Sequence, residues 1–337
     1  MGDSFGRITR ADVARRAGVS ETIVSYVVNN NRYVDKTKRK LVEDAIRELN
    51  YRPNSLARAL RGKNSNHIVF IADQISNEHF SKLISEMDNY AYDKGYMISL
   101  CANRNTEEFI AQIISRQYDG VIISSISFPE SYIKQLVAAK LPVVLLKNRD
   151  YNLTDGVATI GTGLYQGARD CVKHLVERGR KNILYLDRFS MRNNFSTMDD
   201  LRYRGFWEQM TECGLEVTEK NIITGCRNAE EVAERVRGRL TGEFEFDAIF
   251  GRNDRLACIG MQAVQRIGRN VPDDIAVIGF DNSSLSQYTT PTLTTMEMQR
   301  EEIGKAAIEM LHQMIEEGDR IPEPVVFSTK LIVREST

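Results

Sequence analysis

The sequence predicts an α/β body carrying a small helical head. Three observations carry this. From residue 67 onward the apolar runs HIVFIA, YMISLC, GVIISS, PVVLL, NILYLD, DAIFG and IAVIGF alternate with helical stretches, the pattern of a parallel sheet covered on both faces. Before them, three short amphipathic helices lie within residues 9–49. Charge divides at the same place. Residues 1–63 carry 14 Lys/Arg against 7 Asp/Glu, a net +7, and residues 64–337 carry 31 against 39, a net −8, so the whole-chain −1 hides a basic arm on an acidic body. Such asymmetry suggests an anionic partner for one end only.

The head is read first. Thr9 with Asp12 forms a capping box ahead of Val13, Ala14 and Ala17, and Gly18 punctuates. Ser20 is a good N-cap for a second helix to about residue 28, with Ile23, Val24, Val27 and Val28 on its apolar face. Asn29-Asn30-Asn31 breaks it. A third helix over 36–49 sets Leu41, Val42, Ala45, Ile46 and Leu49 at helical spacing. Two helices joined at A-G-V and closed by a third make a helix-turn-helix pattern. Pro53 ends the unit, and Asn54 caps a segment, 55–61, too short to be a stable helix alone. The body's seven or more strands suit two doubly wound subdomains better than one.

Several classes are excluded at this level. No apolar run approaches the ~18 residues of a membrane span, and the polar start is read as neither a signal sequence nor a lipid anchor. Five scattered cysteines without C-x-x-C read as reduced thiols of a cytoplasmic protein. The four histidines lack metal-ligand spacing, and no nucleophile–base pair or phosphate loop can be assembled, so neither a metal, a cofactor nor an enzyme is expected.

The run ADVARRAGVSETIVSYVVN followed by LNYRPNSLARALR resembles the DNA-binding headpiece and hinge of the lactose-repressor (LacI/GalR) family. ISNEHF, LRYRGF, FGRNDRLACIGM, VPDDIAVIGFDN and PTLTTM resemble later family blocks in the same order. The resemblance spans nearly the whole chain. It implies a headpiece over 1–53, a hinge helix over 54–63, and a periplasmic-binding-protein-like core over 64–337, split near 160–166 with crossovers near 296–300 and 325–328. It also implies a homodimeric transcription regulator, cytoplasmic and nucleoid-associated, with double-stranded operator DNA and a small-molecule effector as partners. A repressor of carbohydrate-related genes on a pseudo-palindromic operator is the function expected. No trailing leucine heptads follow VVFSTKLIVREST, so a dimer is expected rather than a tetramer.

In a helix-turn-helix the second helix enters the major groove. Glu21, Thr22 and Tyr26 are its first exposed residues, with Ser25 and Asn29 beside them. Thr22 can touch a thymine methyl, and Glu21 either accepts from a cytosine amino group or is simply solvated. The family usually has Thr at Ile23 and Arg at Tyr26, and tyrosine cannot copy arginine's bidentate reading of guanine, so a different operator is expected. Thr9, Ser20 and Tyr33 are further contacts at the edges of the site. Arg10, Arg15, Arg16, Arg32, Lys36, Lys38, Arg39 and Lys40 read as phosphate neutralisers. In the hinge the resemblance makes Leu60 a minor-groove wedge, with Asn54 capping, Ala57 allowing close approach, and Arg58 and Arg61 at phosphates.

For the effector, Arg202, Asn253 and Asp281 match family binding positions, and one guanidinium, one amide and one carboxylate suit a polyol. The bland readings are a surface salt bridge for Arg202 and a turn cap for Asp281. Asn77, His79 and Phe80 belong to the first-strand side, Phe80 equally to the core. After PVVLL the family often has an Asp where this chain reads Lys147-Asn148-Arg149. If Lys147 faces the pocket, the effector is an anionic sugar derivative; otherwise the side chain points outward or the pocket is degenerate. The competing classes are a solute-binding protein of the same core fold and a doubly wound enzyme.

Overall fold

The computed structural model describes residues 8–52, 64–75, 77–152, 155–318 and 320–337. Two compact units divide at Ser65/Asn66. The hinge positions Asn54, Ala57, Arg58, Leu60 and Arg61 lie outside the described residues.

In the first unit α1 is Arg10–Ala17, α2 Glu21–Asn29 and α3 Lys36–Glu48. Thr9 and Asp12 form the reciprocal cap, Gly18 turns the chain at φ 67°, Ser20 caps α2, and Asn30 ends it at φ 47°. Asp35 caps α3 by accepting from the Thr37 and Lys38 amides. Val13, Ala17, Val24, Val27, Val34, Val42 and Ala45 make the core, closed by Tyr51. Leu41 departs from the expected apolar face: it is 48% exposed. Successive helical residues are rotated by about 100°, so a helix that turns Val42 inward carries Leu41 off the core stripe.

The second unit begins with β1 His67–Ala72, α4 Glu78–Asp93, β2 Met97–Ala102, α5 Glu107–Ser115, β3 Gly120–Ser124, α6 Glu130–Ala138, β4 Val143–Lys147 and β5 Val157–Gly161. It continues through α7 Leu164–Glu177, β6 Ile183–Leu186, α8 Leu201–Glu212, β7 Ile222–Ile223, α9 Ala229–Leu240, β8 Ala248–Gly251, α10 Asp254–Arg266 and β9 Ala276–Ile278. The last elements are α11 Leu285–Tyr288, β10 Thr295–Met298, α12 Arg300–Glu317, β11 Val325–Val326 and β12 Thr329–Ile332. The first sheet runs β11-β5-β4-β3-β1-β2 and the second β7-β6-β8-β9; every pairing in both is parallel. β10 and β12 form a separate antiparallel pair. The chain leaves the first sheet after β5, returns by α12 and β11, and leaves again into β12.

β1, β3, β4, β6 and β8 are apolar on both faces because both faces are covered, whereas the edge strands β2 and β11 of the first sheet are partly exposed. Phe70, Leu83 and Met87 join Tyr185, Phe206, Phe250 and Met296 in one continuous core, while Val69, Ile71 and Phe109 fill the outer face of the first sheet and Leu184, Leu186 and Val232 that of the second. α7 and α8 pack tightly at Gly205, where an added Cβ would meet the Tyr165 carbonyl oxygen at 2.5 Å. Parallel strands present their carboxyl ends together, and β1, β6, β8 and β9 end around one cleft.

Candidate effector cavity and nucleic-acid interface

The cleft holds a cavity of about 180 Å³ lined by Gln74, Asn77, Glu78, Arg188, Phe189, Asn253, Asp254, Arg255, Leu256, Asp281, Ser283 and Leu285. Each comes from just beyond a strand end or from a helix start. Asp281 sits at φ 102°, beyond β9, and its Oδ1 accepts from Arg202 Nη1 at 3.3 Å. Arg202 is buried; Nη1 also donates to the Arg252 carbonyl at 2.8 Å, and its guanidinium lies 4.9 Å from the Phe280 ring centre. Behind this, Arg252 pairs with Asp200 at 2.5 Å. Asn253 caps α10 through the Leu256 amide, 3.0 Å, and Asn77 caps α4 through the His79 amide, 2.9 Å.

Burial and the neighbouring Asp281 push the Asp254 carboxyl up to about 7, against hydrogen bonds from Thr295 and Ser283. Across the cleft, Arg188 Nη1 meets Asp73 Oδ2 at 3.0 Å. Burial would raise the Asp73 carboxyl, but the Arg188 charge and hydrogen bonds from Ser125 and the Ile126 amide outweigh it and hold it low. Gln74 Nε2 donates to the Phe189 carbonyl at 3.3 Å, and Arg192 donates to that of Asn103. These contacts hold the two strand-end rims together.

In the first unit, Glu21 and Thr22 are exposed at the start of α2, and Ser25, Tyr26 and Asn29 follow half-buried along it. Asn29 Nδ2 donates to Ser25 Oγ at 3.1 Å. The Arg32 guanidinium lies 5.2 Å from the Tyr26 ring centre and Nη1 donates to the Tyr26 hydroxyl at 3.3 Å. Tyr33 is 89% exposed. Arg10, Lys36, Lys38 and Lys40 carry no acidic partner among the described residues, whereas Arg15 pairs with Asp12, Arg16 with Glu48, and Arg39 approaches Glu43 at 4.0 Å.

Residues 9–54 match the model of bacterial regulatory proteins of the lacI family, and residues 172–337 that of a periplasmic binding protein-like domain. The HTH-type transcriptional repressor PurR of Photobacterium profundum is 31% identical over 97% of this chain and 98% of its own. The chain belongs to the lacI family. It is a DNA-binding transcriptional regulator with an effector-binding core, and not an enzyme. The lac repressor dimer bound to operator and the anti-inducer ONPF superposes with a TM-score of 0.80 at 25% identity, covering 98% of this chain and 99% of that one. A regulator from Alkaliphilus metalliredigens QYMF, complexed with D-xylulofuranose, gives 0.66 at 27% identity over 81% of this chain and 99% of that one.

In this lacI-family regulator, Asn77, Asn253 and Asp281 line the cavity, and Arg202 reaches it through Asp281. His79, Phe80 and Lys147 are not among the lining residues. Phe80 packs on Phe70, ring centres 6.1 Å apart, on the core side of α4. Lys147 is half-buried at the end of β4, where its carbonyl accepts from Thr162 Oγ1 at 3.1 Å; the arginines of the lining are Arg188 and Arg255 instead. Sequence reasoning missed Asp73, Arg188, Phe189, Asp254 and Arg255. Charged residues immediately after HIVFIA and NILYL, at the carboxyl ends of parallel strands, were the signal available.

His79 is buried with Nδ1 accepting from Arg300 Nε at 3.3 Å. Burial brings its pKa down to about 4; Asp281 opposes this, and Arg300 and Arg202 reinforce it. An unfolded histidine titrates near 6.5, so below that the unfolded chain binds a proton the folded one refuses. Stability from His79 is therefore full above about pH 6.5 and lost as pH falls towards 4, by about 3 kcal/mol. Urea unfolding from pH 7 to 4 is expected to show this loss, and His79→Asn to flatten it.

Among the described residues no helix is long and apolar enough to cross a membrane, and no group of three His, Cys, Asp or Glu side chains could hold a metal ion.

Proposed function

We propose that this regulator represses carbohydrate-related genes as a homodimer on a pseudo-palindromic operator, in the cytoplasm at the nucleoid, and that a sugar or sugar derivative in the cavity controls it. Glu21, Thr22 and Tyr26 read base edges, with Ser25 and Asn29 supporting them. Thr9 and Ser20 set the helix starts, Tyr33 closes the edge of the site, and Arg10, Arg32, Lys36, Lys38 and Lys40 neutralise phosphates. Arg15, Arg16 and Arg39 contribute less, because acids already face them. Residues 54–63 supply the minor-groove hinge, with Leu60 as the wedge.

The cavity supports the effector reading. Asn77, Asn253 and Asp281 offer donors and acceptors at one small space beside the Arg188–Asp73 bridge. A ligand there touches both rims, so it binds closed and open arrangements of the core unequally, which is the requirement for coupling to DNA.

The observation that carries this reading is the union in one chain of a separately folded helix-turn-helix with a polar cavity at parallel strand ends. The test is selection of bound DNA from a random pool by the full chain and by residues 64–337, with and without neutral and acidic sugars. The full chain is expected to select a two-fold symmetric site whose occupancy a sugar changes. Asymmetric sites, or equal selection by residues 64–337, would overturn it.

A further inference from the structure

The charges around the cavity are unequally matched, and the mismatch points to a ligand class. Three acids line it, and each has donors of its own. Glu78 accepts from Lys82 Nζ at 2.7 Å and from the Ser284 amide and hydroxyl, each at 2.8 Å. Asp254 accepts from the Ser283 amide at 2.6 Å, from Ser283 Oγ at 2.8 Å and from Thr295 Oγ1. Asp281 has Arg202. The arginines differ from one another. Arg188 spends Nη1 on Asp73, which is already filled by Ser125 Oγ at 2.5 Å, Ser127 Oγ at 2.8 Å and the Ile126 amide at 2.9 Å.

Arg255 is exposed at the cavity edge, and its guanidinium lies 5.0 Å from the Phe189 ring centre. Among the described residues it has no acidic or hydrogen-bonding partner. Arg300, behind Asp281, donates to a carbonyl and to His79 rather than to a carboxylate. A guanidinium held against an aromatic ring keeps its planar fork of donors for an oxyanion, and the ring limits the side-chain entropy lost on binding.

We propose that the cavity takes a small polyhydroxy ligand bearing one anionic group, a carboxylate or a phosphate, held by Arg255 beside Arg188. Its carbon skeleton lies against Phe189, and its hydroxyls meet Asn77, Asn253 and Asp281. At about 180 Å³ the cavity is below the ~300 Å³ of drug-sized sites, which restricts the ligand to a single ring or short open chain. This deepens the effector reading above and rests on it.

The test is isothermal titration of the full chain with glucose, gluconate, glucose 6-phosphate, ribose and ribose 5-phosphate, using wild type, Arg255→Gln and Asn253→Ser. Serine keeps the helix cap and removes the amide donor. At least one acidic sugar is expected to bind about tenfold or more tighter than its neutral parent. Arg255→Gln is expected to erase that advantage, and Asn253→Ser to weaken both members of the pair. Gluconate against the phosphates decides which anion the site takes.

Equal or better binding of the neutral parents, an acid advantage that survives Arg255→Gln, or no binding of any acid would overturn the proposal. Neutral binding that survives Arg255→Gln but falls in Asn253→Ser leaves the cavity as the effector site and removes only the anionic class. Binding indifferent to Asn253→Ser would place the effector elsewhere and remove both.

Discussion

Asp281→Ala is expected to destabilise the second unit by about 3–5 kcal/mol, because it leaves a buried guanidinium without its counter-charge. Arg202 has nowhere else to go. Phe280 covers one face, Nη1 is fixed on the Arg252 carbonyl, and Nε is buried without a partner. Burial already lowers its pKa, with Asp281 opposing that fall. Nearby Arg252 is committed to Asp200, so no free carboxylate can replace Asp281.

For a unit of this size each kcal/mol shifts the thermal midpoint by ~2–4 °C, so a fall of roughly 10 °C is expected. Arg202→Met should cost a similar amount by stranding Asp281. The double variant Arg202→Met/Asp281→Asn separates stability from function, since asparagine matches aspartate in size and tolerates the φ of 102° at this position. Neutralising both members of a buried ion pair at similar volume leaves no stranded charge, so the midpoint should largely recover. The effector response should not recover, since the carboxylate at the cavity is gone. A double variant as unstable as either single one would show that the pair's hydrogen bonds, rather than its charge balance, hold this region.

The same residues show how much could be read beforehand. Strands such as HIVFIA and GVIISS are legible because both faces are buried, giving uninterrupted apolar runs. Val157–Gly161 escapes notice because Thr159 and Gly161 dilute its run; Val325–Val326 is too short and exposed to carry any period. β10 is largely buried and pairs antiparallel with the half-exposed β12, and their Thr, Glu and Lys residues mask any hydrophobic pattern.

In the site, Asp281 and Asn253 lie in recognisable blocks. The Arg188–Asp73 bridge gave no signal, since its partners are 115 residues apart and meet only when β1 and β6 end at the same cleft. Lys147 illustrates the converse. Sequence position alone suggested a cavity cation, whereas the cavity draws its lining from beyond β1, β6, β8 and β9 and takes its guanidinium groups from Arg188 and Arg255.

Operator affinity is expected to fall roughly a thousandfold or more between about 50 and 200 mM salt, since a dimer applies two sets of basic side chains to phosphates. Individual residues should separate within that total. Lys36→Ala removes a phosphate charge and should lower the salt slope by about 1 per headpiece while weakening all sequences alike. Tyr26→Phe removes no charge, so the slope should stay and discrimination at one base pair should fall by about 0.5–1.5 kcal/mol, the worth of one hydroxyl hydrogen bond.

Arg32 is the informative case, because its guanidinium is stacked on Tyr26 and donates to the same hydroxyl. With that lone pair occupied, the hydroxyl proton is left to point outward as a donor, towards a purine N7, guanine O6 or thymine O4. Arg32→Ala should then do both things: lower the slope and relax the base pair that Tyr26→Phe relaxes. The two substitutions together should cost less than their sum, as expected for side chains in contact. If Arg32→Ala changes only the slope, Arg32 is a phosphate contact alone and Tyr26 reads its base unaided.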